Sequence, residues 1–201
     1  KMKKLTFYII FFLTGFSLFA QEKFELNASV KAGLFFPPNK DNNEYFPENA
    51  LSPGIGVGLQ YNIFEKTSIS LGIEGNYLNP SMIDYQNNQI DPLWHSVNIP
   101  FRIKQFVGPH IMLVGGAKLV RQIKGYWDSQ LSVYRGQQQI PEYSWELGAG
   151  WKFNKLSLFL IYNRGFGPFE KIIKTNPNSY FPVELIHQEI YLKVQYPLWK
   201  F

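Results

Sequence analysis

The sequence predicts an all-β protein: an eight-stranded antiparallel up-and-down transmembrane β-barrel over residues 21–201, preceded by a cleavable signal peptide at residues 1–20. Three observations predict it. Apolar and polar residues alternate with period two in eight segments, the mark of strands whose two faces meet different surroundings. The connections alternate between long and short, which gathers the long loops at one end and both termini at the other. The two faces also separate by chemistry, one holding Val, Ile, Leu and aromatics, the other Gly, Ser, Asn, Glu, Lys and Arg.

The first twenty residues stand apart. Lys1, Lys3 and Lys4 precede a mostly apolar run from Leu5 to Phe19, and Ala20 ends it before Gln21 and the charged pair Glu22-Lys23. A basic start, a short apolar run and a small residue at the cut define a secretory signal peptide. The run is short of the roughly 20 residues that a spanning helix needs. Removal of the segment takes three of the twenty basic residues and none of the fifteen acidic ones, leaving a formal charge of +2. With no clustered basic face, that charge argues against nucleic-acid binding. The chain has no cysteine, so neither a disulfide framework nor thiol chemistry is expected.

The strands follow in order. Leu26 to Phe36 alternates, and Pro37 to Glu44 reads as a long polar loop. Gly54 to Ile63 alternates with glycine or amide opposite each apolar residue, which points to a crowded interior or strong curvature. Glu65-Lys66 is a tight turn before Ser68 to Tyr77. A second polar loop runs from Asn79-Pro80 to Asp91-Pro92. His95 to Lys104 is the fourth strand, with a bulge expected at Pro100, since proline lacks a ladder donor. After the turn at Val107-Gly108-Pro109, the fifth strand spans Ile111 to Ile123. Its register stays open, because Met112 and Val114 share a face with Lys118.

Gly125 to Pro141 reads as a third long loop, followed by a sixth strand through Trp145, Leu147, Ala149, Trp151 and Phe153. After the tight turn Asn154-Lys155, Leu156, Leu158, Leu160 and Tyr162 mark the seventh. Gly165 to Leu185, with Pro168, Pro177 and Pro182, reads as a fourth long loop. The closing strand places Ile190, Leu192, Val194 and Tyr196 on one face and Glu189, Tyr191, Lys193 and Gln195 on the other. Phe201 is out of phase with that apolar face, so a bulge is expected near Pro197, bringing Trp199 and Phe201 into an aromatic girdle. The girdle is expected to include Tyr61, Phe64, Tyr77, Phe106, Trp145, Phe153, Tyr162 and Tyr196.

This grammar is that of outer-membrane barrels, with an even strand number, short periplasmic turns and long outer loops. Closure removes the unpaired strand edges that lipid cannot satisfy. A lipocalin-like soluble barrel would carry the apolar set inside, and Ile, Trp and Phe on every strand would overfill an eight-stranded interior.

Several segments also resemble one family. They are Ala20-Gln21, Lys31-Ala32-Gly33-Leu34, Pro53 to Gly58, Asn98-Ile99-Pro100-Phe101-Arg102-Ile103-Lys104, Gly148 to Phe153 and Tyr162-Asn163-Arg164-Gly165-Phe166. Through them nearly the whole of residues 21–201 resembles the small outer-membrane β-barrels of Bacteroidetes, the PorT-like family. The resemblance implies a Gram-negative outer membrane and no single activity, since some members serve secretion or gliding machinery.

The interior is expected to hold Lys31, Glu74, Arg102, Lys104, Lys118, Glu146, Lys152, Glu189 and Lys193. Six basic and three acidic groups make a paired polar filling, or alternatively a narrow pore with weak anion preference. The three histidines, His95, His110 and His187, do not sit at metal-ligand spacing. His95-Ser96 invites comparison with outer-membrane lipid-modifying enzymes, but adjacent strand residues point to opposite faces. No catalytic residue, cofactor or metal is expected. The remaining candidates are loop residues of recognition type: Tyr126, Trp127, Tyr134, Arg135, Phe169, Tyr180 and Phe181. The expected role is structural or partner-binding, with outer-membrane lipid around the barrel and a protein partner at the outer loops or periplasmic turns.

Overall fold

The computed structural model describes residues 23–36, 49–78, 82–83, 89–90, 93–126, 142–176 and 179–201. At 82–83, 89–90, 93–94, 122–126, 168–176 and 179–185 it describes the backbone alone. The signal peptide expected at residues 1–20 lies outside the described residues. Eight strands form the barrel: β1 (Phe24–Phe35), β2 (Ala50–Phe64), β3 (Thr67–Leu78), β4 (Leu93–Phe106), β5 (Ile111–Tyr126), β6 (Glu142–Phe153), β7 (Leu156–Asn176) and β8 (Ser179–Lys200). Each pairs antiparallel with its sequence neighbour, and β1 pairs with β8 to close the ring. A two-residue ribbon, Met82–Ile83 against Gln89–Ile90, lies between β3 and β4.

The outward face is apolar. Around the closing seam, Val30 pairs with Ile55 on β2 and Val194 on β8, and Leu34 pairs with Leu51 and Ile190. Leu192 continues onto Leu160, and Val194 onto Leu158. These side chains are exposed, as are Leu59, Leu71, Ile73, Phe101, Ile103, Leu113 and Leu147. A continuous apolar surface of this extent is untenable in water and matches a hydrocarbon surround. Most strands exceed the roughly 9–11 residues needed to cross a bilayer at a tilt.

Three hairpins close tightly, at Glu65-Lys66, residues 107–110 and Asn154-Lys155. Asn154 adopts a positive φ of 53°, which asparagine tolerates better than most residues. These turns, together with Phe24 and Lys200, form the turn end of the barrel. Aromatic residues gather there, with Phe24 and Tyr61 rings 4.7 Å apart and Trp199 stacked on Phe201 at 6.3 Å. A second group marks the opposite end, where Trp145 and Tyr162 meet edge to face at 5.3 Å. Phe106 departs from the expected girdle. It shares parity with Arg102 and Lys104, so it turns inward and packs beside Met112, Val114, Phe159, Ile161 and Tyr191.

Two irregularities differ from the reading of the sequence. No bulge forms at Pro100. The β3–β4 register holds from Leu71↔Phe101 to Glu74↔Asn98, and pairing lapses only at the two positions between. Proline is accommodated by omitting local ladder contacts, while its ring points inward opposite Gly72. The segment from Gly165 to Leu185 is also not a long loop. β7 and β8 continue as a ribbon to Asn176↔Ser179, shifting register around Ile186 as they pass Pro168. Prolines punctuate the sequence there, but a two-stranded ribbon leaves one edge of each strand free of ladder demands.

The bulge near Pro197 is present. Asn27 pairs with Pro197 and Leu26 with Trp199, so Leu198 is the extra residue. The shift inverts the facing of all that follows, and both Trp199 and Phe201 end exposed on the outside.

Candidate functional site

Inward-facing positions build a charged network across the lumen. The nine residues Lys31, Glu74, Arg102, Lys104, Lys118, Glu146, Lys152, Glu189 and Lys193 all stand at inward positions of the alternation, and all but Lys152 are buried. Register brings them together from six strands. At the centre, Arg102 of β4 grips Glu146 of β6 with two nitrogens, Nε to Oε2 at 2.7 Å and Nη2 to Oε1 at 3.2 Å. Its Nη1 reaches Glu74 of β3 at 2.7 Å. Lys193 of β8 donates to the same Glu74 oxygen at 2.6 Å. Tyr191, also on β8, donates to Glu146 at 2.6 Å and accepts from Arg102 at 3.1 Å.

Toward the loop end a second cluster forms around Glu189. Lys31 of β1 donates to both its oxygens, at 2.8 and 3.0 Å. His187 lies 3.3 Å from it and Lys118 3.9 Å. Lys118 also approaches Glu146 at 3.6 Å, linking the two clusters. Asn163, with its amide oriented to satisfy its neighbours, accepts from Lys118 at 3.1 Å and donates to Ser144 at 2.9 Å. Glycines make room for this packing. A Cβ on Gly33 would run into Glu189 Oε1, and one on Gly56 would lie 2.7 Å from Glu74 Cγ.

Sequence reasoning missed part of the interior. Glu25 and Glu142 also face inward and are buried. With them, five carboxylates stand against six cations among the described inward residues, so the large positive excess that favoured an anion pore disappears. Tyr191, Gln60 and Gln195 carry central hydrogen bonds, and the alternation of β2 and β8 already placed them inside. The apolar strip of Met112, Val114, Phe159 and Ile161 is less legible, because both faces of β5 and β7 are apolar there. It fixes the register of β5, with Met112, Val114 and Lys118 all inward.

The other candidates stay separate. His95 packs against Tyr77, His110 stacks on Trp151, and His187 meets Phe35. Among the described residues no group of three His, Asp or Glu side chains is arranged to hold a metal ion. His95 and Ser96 point to opposite sides of β4, and among the described residues neither pairs with a carboxylate. Trp127, Tyr134 and Arg135 lie outside the described residues. Tyr126, Phe169, Tyr180 and Phe181 lie on β5, β7 and β8, where the backbone alone is described.

The sequence matches no protein-family model and no curated protein. Solved structures with the same fold are small outer-membrane barrels. OprG from Pseudomonas aeruginosa aligns over 88% of this chain and 97% of its own, at 9% identity and a TM-score of 0.53. Neisserial surface protein A aligns over 86% and 96%, at 10% identity and a TM-score of 0.49. Ail, the attachment invasion locus protein of Yersinia pestis, aligns over 88% and 98%, at 8% identity and a TM-score of 0.48. At such identities the likeness concerns the fold alone.

Proposed function

We propose that the chain is a Gram-negative outer-membrane barrel with a structural or partner-binding role, closed to solute passage and without catalysis. The observation that carries this reading is the bridge through Arg102, which joins β3, β4, β6 and β8 across the lumen. An eight-stranded interior is just wide enough for side chains to fill. Here they are buried and mutually bonded, which leaves the protein's dealings to its two ends and its lipid face. The apolar outer wall supports residence in a bilayer. The segment resemblances support a place among PorT-like barrels of Bacteroidetes, with long loops outside and both termini periplasmic.

Partner binding falls to the outer loops, where Trp127, Tyr134 and Arg135 supply residue types common at recognition surfaces. Site-specific photocrosslinking from position 127 in cells tests it. A discrete protein adduct, absent when the photoreactive group sits at lipid-facing position 160, is the expected result. Adducts with lipid alone at both positions would count against a protein partner.

A further inference from the structure

Below the Arg102 bridge the lumen widens into a blind cavity of about 350 Å³ that opens at the turn end. Its innermost wall is Lys104, which is 4% exposed. Among the described residues, Lys104 is the buried cation that has no carboxylate within 4 Å; Lys31, Arg102, Lys118 and Lys193 all have one. Its ammonium donates instead to two neutral oxygens, Gln60 Oε1 at 2.7 Å and Gln195 Oε1 at 2.9 Å. An ammonium has three donors, so one is left. A buried charge without a counter-charge costs several kcal/mol, by typical desolvation penalties.

The cavity around it is built for the missing charge. Ser68, directly across the ladder from Lys104, is buried on the cavity wall with its hydroxyl unpartnered. Lys152 and Lys155 line the mouth. Glu25 is the one carboxylate on the wall, and Lys200 occupies it at 3.6 Å. Phe159 and Phe106 form the apolar side, with the Lys104 and Lys152 ammonium groups 5.2 and 5.6 Å from their ring centres. The groups left over are therefore cations and a hydroxyl, converging on the cavity.

We propose that this cavity binds a phosphate-type oxyanion, with Lys104 and Ser68 at its floor and Lys152 at its rim. A phosphate dianion matches two ammonium groups in charge and offers acceptors to the lone lysine donor and the serine hydroxyl. The same group is carried by free phosphate and by phosphate-bearing lipid headgroups at the membrane surface next to the mouth. The site does not depend on whether the outer loops bind a partner.

The test is calorimetric titration of the refolded full chain in octyl glucoside, with inorganic phosphate and with dihexanoyl phosphatidate as separate probes. Saturable one-to-one binding is expected, weakened at least tenfold by Lys104→Gln and by Lys152→Gln, and unchanged by Lys66→Gln on an exposed turn. Folding of each variant is checked by its heat-modifiable gel mobility. Lys152→Gln alters a half-buried rim residue, so it keeps the test decisive should Lys104→Gln fail to fold. Tighter binding of phosphatidate, with competition by inorganic phosphate, assigns the site to a lipid headgroup. Equal or weaker binding assigns it to the free anion. Absence of saturable binding to both probes, or Lys152→Gln and Lys104→Gln binding like the parent, would overturn the proposal.

Discussion

Arg102 on β4 and Tyr191 on β8 meet inside the barrel from opposite walls. The guanidinium donates to the phenol oxygen at 3.1 Å, and both groups hold Glu146. β4 and β8 stand four strands apart around the ring in either direction. The contact therefore ties the barrel across its diameter, where backbone hydrogen bonds tie it only around its circumference.

Removing the guanidinium is expected to be costly. Arg102→Met leaves Glu146 and Glu74 short of their main counter-charge, and loss of one member of a buried pair costs about 3–5 kcal/mol. Tyr191→Phe deletes two hydrogen bonds to charged groups, the one to Glu146 and the one from Arg102, each worth about 1.5–3 kcal/mol. The double variant Arg102→Met/Glu146→Met should lose less than the sum of its singles, because no orphaned Glu146 charge remains. Urea unfolding in lipid vesicles measures all of these, and strict additivity would show that the two groups do not act together.

Two glycines offer an internally controlled comparison. A methyl on Gly33 meets Glu189 and the Cβ of Tyr191, whereas nothing lies within 4 Å of one on Gly115. Overpacking of this kind costs about 1–3 kcal/mol. Gly33→Ala is therefore expected to destabilise by that amount and Gly115→Ala by under about 0.5 kcal/mol, as is usual for surface changes. Equal effects in the same unfolding assay would contradict the packing described around Glu189.

Leu160 tests the lipid face. It is exposed midway along the crossing part of β7, between Leu192 on β8 and Ala149 on β6. Leu160→Arg is expected to destabilise the barrel by about 2–4 kcal/mol in a bilayer, the midplane cost of a lipid-facing charge. A neutral result would mean that this face is not in hydrocarbon.

Because Leu198 is the extra residue, Trp199 pairs with Leu26 and faces outward. In a variant keeping Trp199 as its sole tryptophan, brominated lipid should quench the fluorescence strongly. Deleting Leu198 as well makes the register uninterrupted and leaves Trp199 paired with outward-facing Leu26, so quenching should persist. Loss of at least half the quenching would show that Leu198 is not the extra residue that leaves Trp199 opposite Leu26.

The sequence was most legible where two solvents act on one strand. Period-two alternation in β1, β3 and β8 placed Lys31, Glu74 and Glu189 inside before any pairing was known. Phase was lost where both faces are apolar, as around Met112 and Val114 on β5. Proline misled twice. Pro100 sits in an unshifted register, and Pro168 and Pro182 lie within a ribbon whose backbone pairing their ring chemistry alone does not forbid. The specific partners inside, above all the sharing of Glu146 by Arg102 and Tyr191, depend on register across non-adjacent strands. No local pattern encodes that.

The central claim is that the bridge through Arg102 seals the lumen, and planar-bilayer recording of the refolded chain tests it most directly. The expected trace is flat under applied voltage, without steady conductance in wild type. A stable, ion-selective conductance that scales with the amount of folded protein would contradict it.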